Sequence, residues 1–180
     1  QGFDGTSMQQ IADEAGINKA LLHYYFRSKQ KLFDAVFQSA LKGFVPLAFS
    51  KVAAGGDLES NLCEFAYSYI DLVSNNPHIP AFVLMELNRD PAKLCRLLME
   101  SGIKPEFLLS VLRQAIEKGD LVSSSPQHFI TNLIGLCIFP FIAKPLIFPI
   151  FFNENSEEWA KYLSERKSEI KRFISNSFSK

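Results

Sequence analysis

Apolar residues in this chain recur at intervals of three and four, and they nowhere alternate singly for long. A half-buried strand needs alternation by twos, whereas a helix that buries one face needs the longer spacing. The pattern restricts the chain to an all-α fold. Thr6-Ser7 suits the cap of a helix over 7–15, which Gly16 stops. A second short helix is expected over 19–26. From Ser28 onward, Leu32, Phe33, Val36, Phe37, Ala40, Leu41 and Phe44 mark a long helix, which Pro46 is expected to perturb or end.

Beyond the break at Ala54-Gly55-Gly56, Asp57 can cap a helix with the stripe Leu58, Leu62, Phe65, Ala66, Tyr69, Leu72 and Val73. Asn75-Asn76-Pro77 ends it. Helices are expected over 79–88, 91–100 and 105–118, and Ser125 caps an apolar one over 126–143. The last helix, 156–178, carries Trp159, Tyr162, Leu163, Arg166, Ile170, Phe173 and Ile174. The division predicted is a small N-terminal module, residues 1–41, and a helical body, residues 42–180. Gln1 to Gly5 reads as the end of a preceding element, and with no starting Met a segment before Gln1 is expected.

Seventeen phenylalanines in 180 residues provide ample material for a core. The apolar run over 133–152 raises the question of a membrane span, but Lys144 and three prolines (Pro140, Pro145 and Pro149) interrupt it. It is read as a buried helix ending in an irregular apolar segment, with no membrane partner. Cys63, Cys95 and Cys137 are widely spaced, with no CxxC and no histidine at ligand spacing. Each is expected to be a reduced, buried small hydrophobe in a cytoplasmic protein, with no metal and no cofactor. No HExxH, GxSxG or P-loop pattern occurs, and His23, His78 and His128 are isolated, so an enzyme is not expected.

The functional signal is local. Formal net charge is zero, yet between Glu14 and Asp34 stand Lys19, Arg27, Lys29 and Lys31 with no carboxylate, a local charge of +4. Two short helices meet there around Gly16-Ile17-Asn18. Small Ala12 and Ala15 permit a close crossing, and Ile17, Leu21 or Leu22, and Phe26 can plug the second helix onto the first. Tyr25 and Phe26 are read as core. Asn18, Lys19, Ala20, His23 and Tyr24 are left near the exposed side, as in a helix-turn-helix whose second helix enters the major groove. Phosphate contacts would dominate affinity and make it salt-dependent.

The run from Thr6 to Phe33, TSMQQIADEAGINKALLHYYFRSKQKLF, resembles the DNA-binding region of the TetR family. It matches that family's threonine before the second helix, Ile-Ala within it, and Ala-Gly-Ile at the turn. It also matches the aromatic run ending in Phe, then basic-Ser-Lys and Leu-Phe. The resemblance implies an N-terminal helix-turn-helix module, with the family's first helix lying before Gln1, followed by a helical ligand-binding and dimerisation domain. The DNA-binding set it implies is Thr6, Ser7, Asn18, Lys19, Ala20, Leu21, His23, Tyr24 and Lys29, with Thr6 and Lys29 as phosphate anchors. His23 departs from the family's usual Tyr, and Ala20-Leu21 from its common Gly-Thr, so base preference cannot be carried over.

The resemblance further implies double-stranded operator DNA and a small-molecule effector as partners, and a homodimer formed by the last two helices. Phe129, Leu133, Leu136, Phe139 and Ile142 would supply one face of that dimer and the stripe from Trp159 to Ile174 the other. The effector site is expected among Phe65, Tyr69, Phe82, Met85, Phe107 and Leu108, with Glu86, Asn88, His78 and His128 as polar anchors. The richness in Phe points to an apolar effector and a repressor that it releases. The alternative is a helical carrier or sensor of apolar molecules without DNA binding.

Overall fold

The computed structural model describes residues 5–53 and 55–178. The reading of residues 1–4 as the end of an earlier element lies outside them, as does the side chain of Phe44. Ten helices occur among the described residues: α1 (Met8–Glu14), α2 (Lys19–Phe26), α3 (Lys29–Ala53), α4 (Leu58–Asn75), α5 (Ile79–Arg89), α6 (Pro91–Glu100), α7 (Pro105–Glu117), α8 (Pro126–Ile142), α9 (Lys144–Phe152) and α10 (Ser156–Asn176). Among the described residues the one β feature is an isolated bridge, Leu121 to Phe178, beside a Val122 N–H donated to the Ser177 carbonyl at 2.7 Å. This latch ties the end of α10 to the loop before α8.

The expected caps form. Asp57 accepts from the Ser60 N–H at 3.1 Å and Ser125 from the His128 N–H at 3.2 Å. Of the two outcomes expected at Pro46, an end to the helix does not occur, and the expectation for the segment after Ile142 needs correction. Helix α3 runs through Pro46 without ending. Pro46 and Lys42 are both exposed, so the carbonyl that lacks a donor, four residues before the proline, can be hydrated. The segment after α8 is α9, a helix rather than an irregular stretch. Pro145 sits in its first turn, where no N–H is needed. Phe148 and Phe152, one turn apart, pack on Trp159 at 5.7 and 5.2 Å between ring centroids, and the Lys144 ammonium lies over the Phe148 and Trp159 rings. No single described helix is long and apolar enough to cross a membrane, and α8 and α9 bend by 73° between them.

Two apolar clusters hold the chain. The larger joins Leu62, Phe65, Ala66 and Ile70 of α4 to Leu108 and Leu112 of α7, Phe129, Leu133 and Cys137 of α8, and Ile170 and Ile174 of α10. The smaller packs Phe37 and Leu41 of α3 against Phe82 of α5 and Leu94 and Leu97 of α6. Burying each such side chain contributes about 1.5–3 kcal/mol. Phe37 and Leu41, on the near side of the expected boundary at 41, are thus buried against the body.

A polar joint sits beside the smaller cluster. Glu86 of α5 is 1% exposed and faces the Lys93 ammonium at 3.4 Å, the Gln30 amide at 3.4 Å and Arg89 at 3.9 Å. Lys93 also pairs with Asp34 at 2.7 Å, and Arg89 donates to Gln30. A carboxylate this buried is tolerated because charged and amide donors surround it.

Several face assignments change. Phe129, Leu133, Ile170 and Ile174, expected on a dimer face, are buried in the subunit's own core, and Trp159 is buried beside the α9 aromatics. Phe139 remains 60% exposed. Cys63 and Cys137 are buried as expected, but Cys95 is exposed, because it falls on the outer side of α6 while Leu94 and Leu97 face inward.

Candidate nucleic-acid interface

The two short helices are joined by a turn that residue types dictate. Ser7 opens α1 with a reciprocal cap: its hydroxyl accepts from the Gln10 N–H at 3.2 Å, and the Gln10 side chain accepts from the Ser7 N–H at 2.7 Å. At the other end Gly16 takes φ +65°, the left-handed conformation that favours glycine. The Ile17 N–H then reaches back to the Ala12 carbonyl at 3.0 Å and the Gly16 N–H to the Asp13 carbonyl at 3.2 Å, the two bonds of a Schellman stop. Asn18 starts the next helix, accepting from the Ala20 N–H at 2.8 Å.

Of the plugs expected between the helices, Leu22 serves: it is 4% exposed, and Ala12 opposite is fully buried. Phe26, one turn on, is half-buried, while Ile17 and Leu21 are largely exposed. Tyr25 was expected in the core and is instead 69% exposed beside Tyr24 at 70%. With Leu22 and Phe26 facing α1, Tyr25 is turned about 100° away from that contact. The two tyrosine rings meet edge to face at 5.4 Å.

Helix α2 therefore presents Lys19, Ala20, Leu21, His23, Tyr24 and Tyr25 on its open side, and Asn18 is exposed at its start. Thr6 and Ser7 lie at the beginning of α1. The Lys29 ammonium donates to the Thr6 carbonyl at 2.8 Å, tying the start of α3 to that of α1. Lys29 is accordingly half-buried, a brace as well as a cation. Ser28 caps α3, accepting from the Lys31 N–H at 3.2 Å. Asp34, the first carboxylate after the basic run, is engaged by Lys93 and leaves the run's positive field unopposed from that side.

The residues expected to hold an effector are not brought to one place. Phe65 and Tyr69 pack together on α4 in the larger cluster, at 6.3 Å between ring centroids, with Leu108 in the same cluster. Phe82 and Met85 belong to the smaller one. Phe107, His78, Asn88 and His128 are exposed, and Glu86 is held in the polar joint. A groove of about 400 Å³ opens elsewhere, between α8 and α10, with Gly135, Phe139, Arg166 and Phe173 among its walls. Among the described residues no cluster of side chains has the make-up of a metal site.

Residues 1–36 match the family described as "Bacterial regulatory proteins, tetR family". The chain is 23% identical over 163 residues to "Probable HTH-type transcriptional regulator YttP" of Bacillus subtilis, a similarity spanning 88% of this chain and 78% of that protein. Over 40 residues it is 50% identical to HTH-type transcriptional regulator RutR of Escherichia coli K12, which covers 22% of this chain and 19% of that one. Its fold is similar to that of a crystal structure of a transcriptional regulator of the TetR/AcrR family from Thermobifida fusca, with a TM-score of 0.65, 18% identity, and coverage of 100% of this chain and 91% of that one. With the helix-turn-helix geometry of α1 and α2, these likenesses support a DNA-binding transcriptional regulator of the TetR type, the family match itself resting on residues 1–36.

Proposed function

We propose that the protein is a homodimeric repressor that grips operator DNA through residues 1–41 and releases it when a small apolar effector binds the body, residues 42–180. The observation that carries this reading is the open face of α2, where polar, cationic and aromatic side chains stand free of the fold. Asn18, Lys19, Ala20 and Leu21 at the start of α2 read base edges, with Leu21 limited to an apolar contact such as a thymine methyl. Thr6, Ser7, His23, Tyr24 and Lys29 meet the phosphate backbone. Lys29 is tied to the start of α1 through the Thr6 carbonyl, which fixes its place beside the α2 face.

Dimerisation is assigned to α8 and α10. The groove around Gly135 with exposed Phe139 at its edge supports this, since a second copy related by a twofold axis would cover the same apolar surface on both subunits. The release mechanism uses α3, which runs from the DNA-binding module into both apolar clusters. A ligand that favours one tilt of α3 changes the separation of the two α2 helices, which must match half-sites about 34–36 Å apart. Such a regulator works in the cytoplasm.

The test is binding of the full chain to the DNA upstream of its own gene across a salt series. Tight binding at low salt that falls steeply as salt rises is the expected result. No binding at any salt would favour the carrier reading. A thermal-shift screen of small apolar compounds then identifies the effector class, and a stabilising compound that left DNA affinity unchanged would not be the inducer.

A further inference from the structure

Arg27 occupies a backbone conformation that an L-residue rarely adopts. Its φ is 60° and ψ is −35°, and the Ser28 N–H closes onto the Phe26 carbonyl at 2.5 Å. This is a γ-turn of the rare, strained hand, a place where glycine would avoid the crowding of a Cβ. The other non-glycine residues at positive φ, Asn153 and Glu154, adjoin each other after α9, and the first is of a type that tolerates the left-handed region. Arg27, like Glu154, is not of that type. Its side chain is exposed and makes no hydrogen bond or ion pair among the described residues. The fold gains nothing visible from an arginine here, and strain kept without a structural return points to function.

Position supplies the function. The turn directly follows α2, one turn beyond exposed His23 and Tyr24, and exposed Lys31 follows four residues later. A helix that reads bases with its N-terminal end leaves the groove at its C-terminal end, where the phosphate backbone forms the rim. We infer that Arg27 is a DNA-phosphate clamp at the exit of α2, held off the protein surface by the strained turn. The inference rests on the DNA-binding reading. Guanidinium presents a planar fork suited to two phosphate oxygens, which a lysine at the same place would meet as a point charge.

The test uses the full chain, a fluorescent mixed-sequence DNA duplex and a salt series, with Arg27→Gly, Arg27→Gln and Arg27→Lys variants. Phosphate contacts are blind to sequence, so no operator need be known. Arg27→Gly is expected to melt no lower than the wild type, because the strain is relieved. It is expected to bind about tenfold more weakly, with the salt slope reduced by about one per subunit. Arg27→Gln should show the same loss of slope, and Arg27→Lys should keep the slope. Wild-type affinity and slope in Arg27→Gly would overturn the inference. So would weaker binding at an unchanged slope, which would make the turn's shape and not its charge the agent. A melting temperature below that of the wild type would remove the strain argument. If the wild type itself ignores the duplex at the lowest salt, the DNA-binding reading fails along with the inference; if the wild type binds and only the variants match it, the inference alone fails.

Discussion

Arg166 and Pro140 form a pair whose energetics can be worked out from one carbonyl. In an uninterrupted helix the Leu136 carbonyl would accept from the N–H of residue 140, but Pro140 has none. The Arg166 guanidinium takes that place from α10, with Nη2 at 2.9 Å and Nε at 3.3 Å from the Leu136 oxygen. Arg166→Met keeps the aliphatic stem and removes both donors. A hydrogen bond from a charged donor contributes about 1.5–3 kcal/mol, and both donors share the one oxygen, so a loss at the lower end, about 1.5 kcal/mol, is expected. At a urea slope of about 2 kcal/mol/M, the unfolding midpoint falls by about 0.7 M. Pro140→Ala restores an N–H to the helix and makes the arginine dispensable. Adding Arg166→Met to Pro140→Ala should therefore cost less than about 0.5 kcal/mol, a coupling of about 1 kcal/mol. Urea unfolding of the wild type, both single variants and the double variant, at one protein concentration, measures this coupling. Additive losses would refute the reasoning, since they would mean that the arginine serves something other than the carbonyl orphaned by the proline.

Two further outcomes follow from buried groups. Lys93→Met strips the nearest cation from Glu86 and the partner from Asp34, leaving a buried carboxylate with Gln30 and a more distant Arg89. Breaking a buried ion pair costs about 3–5 kcal/mol, and the remaining donors place this case at about 2–3. Scanning calorimetry should then show a drop in melting temperature of roughly 4–12 °C, whereas a drop typical of an exposed lysine would contradict the role given to the joint. Burial pushes the Cys137 thiol up from 9.0 to about 12, against a lowering influence of Arg166. Because the folded value lies above the unfolded one, the contribution is fully present below pH 9.0 and is lost as pH rises toward about 12. Stability should fall through that window by up to about 1.4 kcal/mol per pH unit from this group. Cys137→Ala should flatten the profile of urea midpoints, with Tyr69, also raised by burial, keeping part of the slope. An unchanged profile would rule the thiol out.

The sequence carried the helices well where a single residue type decides a local geometry. Ser7, Asp57 and Ser125 cap as expected, and Gly16 makes the turn. Prolines are harder to read, because what a proline costs depends on whether the freed carbonyl finds water or another donor, and that is tertiary information. Periodicity also could not apportion an apolar face between neighbours in the same chain and a second copy. Ile170 and Phe139 look alike as stripe residues, yet one is buried in the core and the other projects outward. Tyr25 failed for a related reason: in a helix of only eight residues, two contacts set the rotation and everything else follows. Glu86 was singled out as a polar anchor for a ligand, and nothing in the chain's order announces that Gln30, Asp34 and Lys93 would converge near it. Arg27 carries no sequence signal of strain, which became visible only in its backbone angles.

The exposure of Cys95 has a practical consequence. Of the chain's three thiols it is the exposed one, and it lies on α6 two residues from Lys93, next to the junction of α3, α5 and α6. A maleimide fluorophore or nitroxide would attach there selectively, without an introduced cysteine or the removal of a native one. The protein thus carries its own labelling point beside the place where the DNA-binding module meets the body. Movement of that junction can be followed spectroscopically in the unaltered chain.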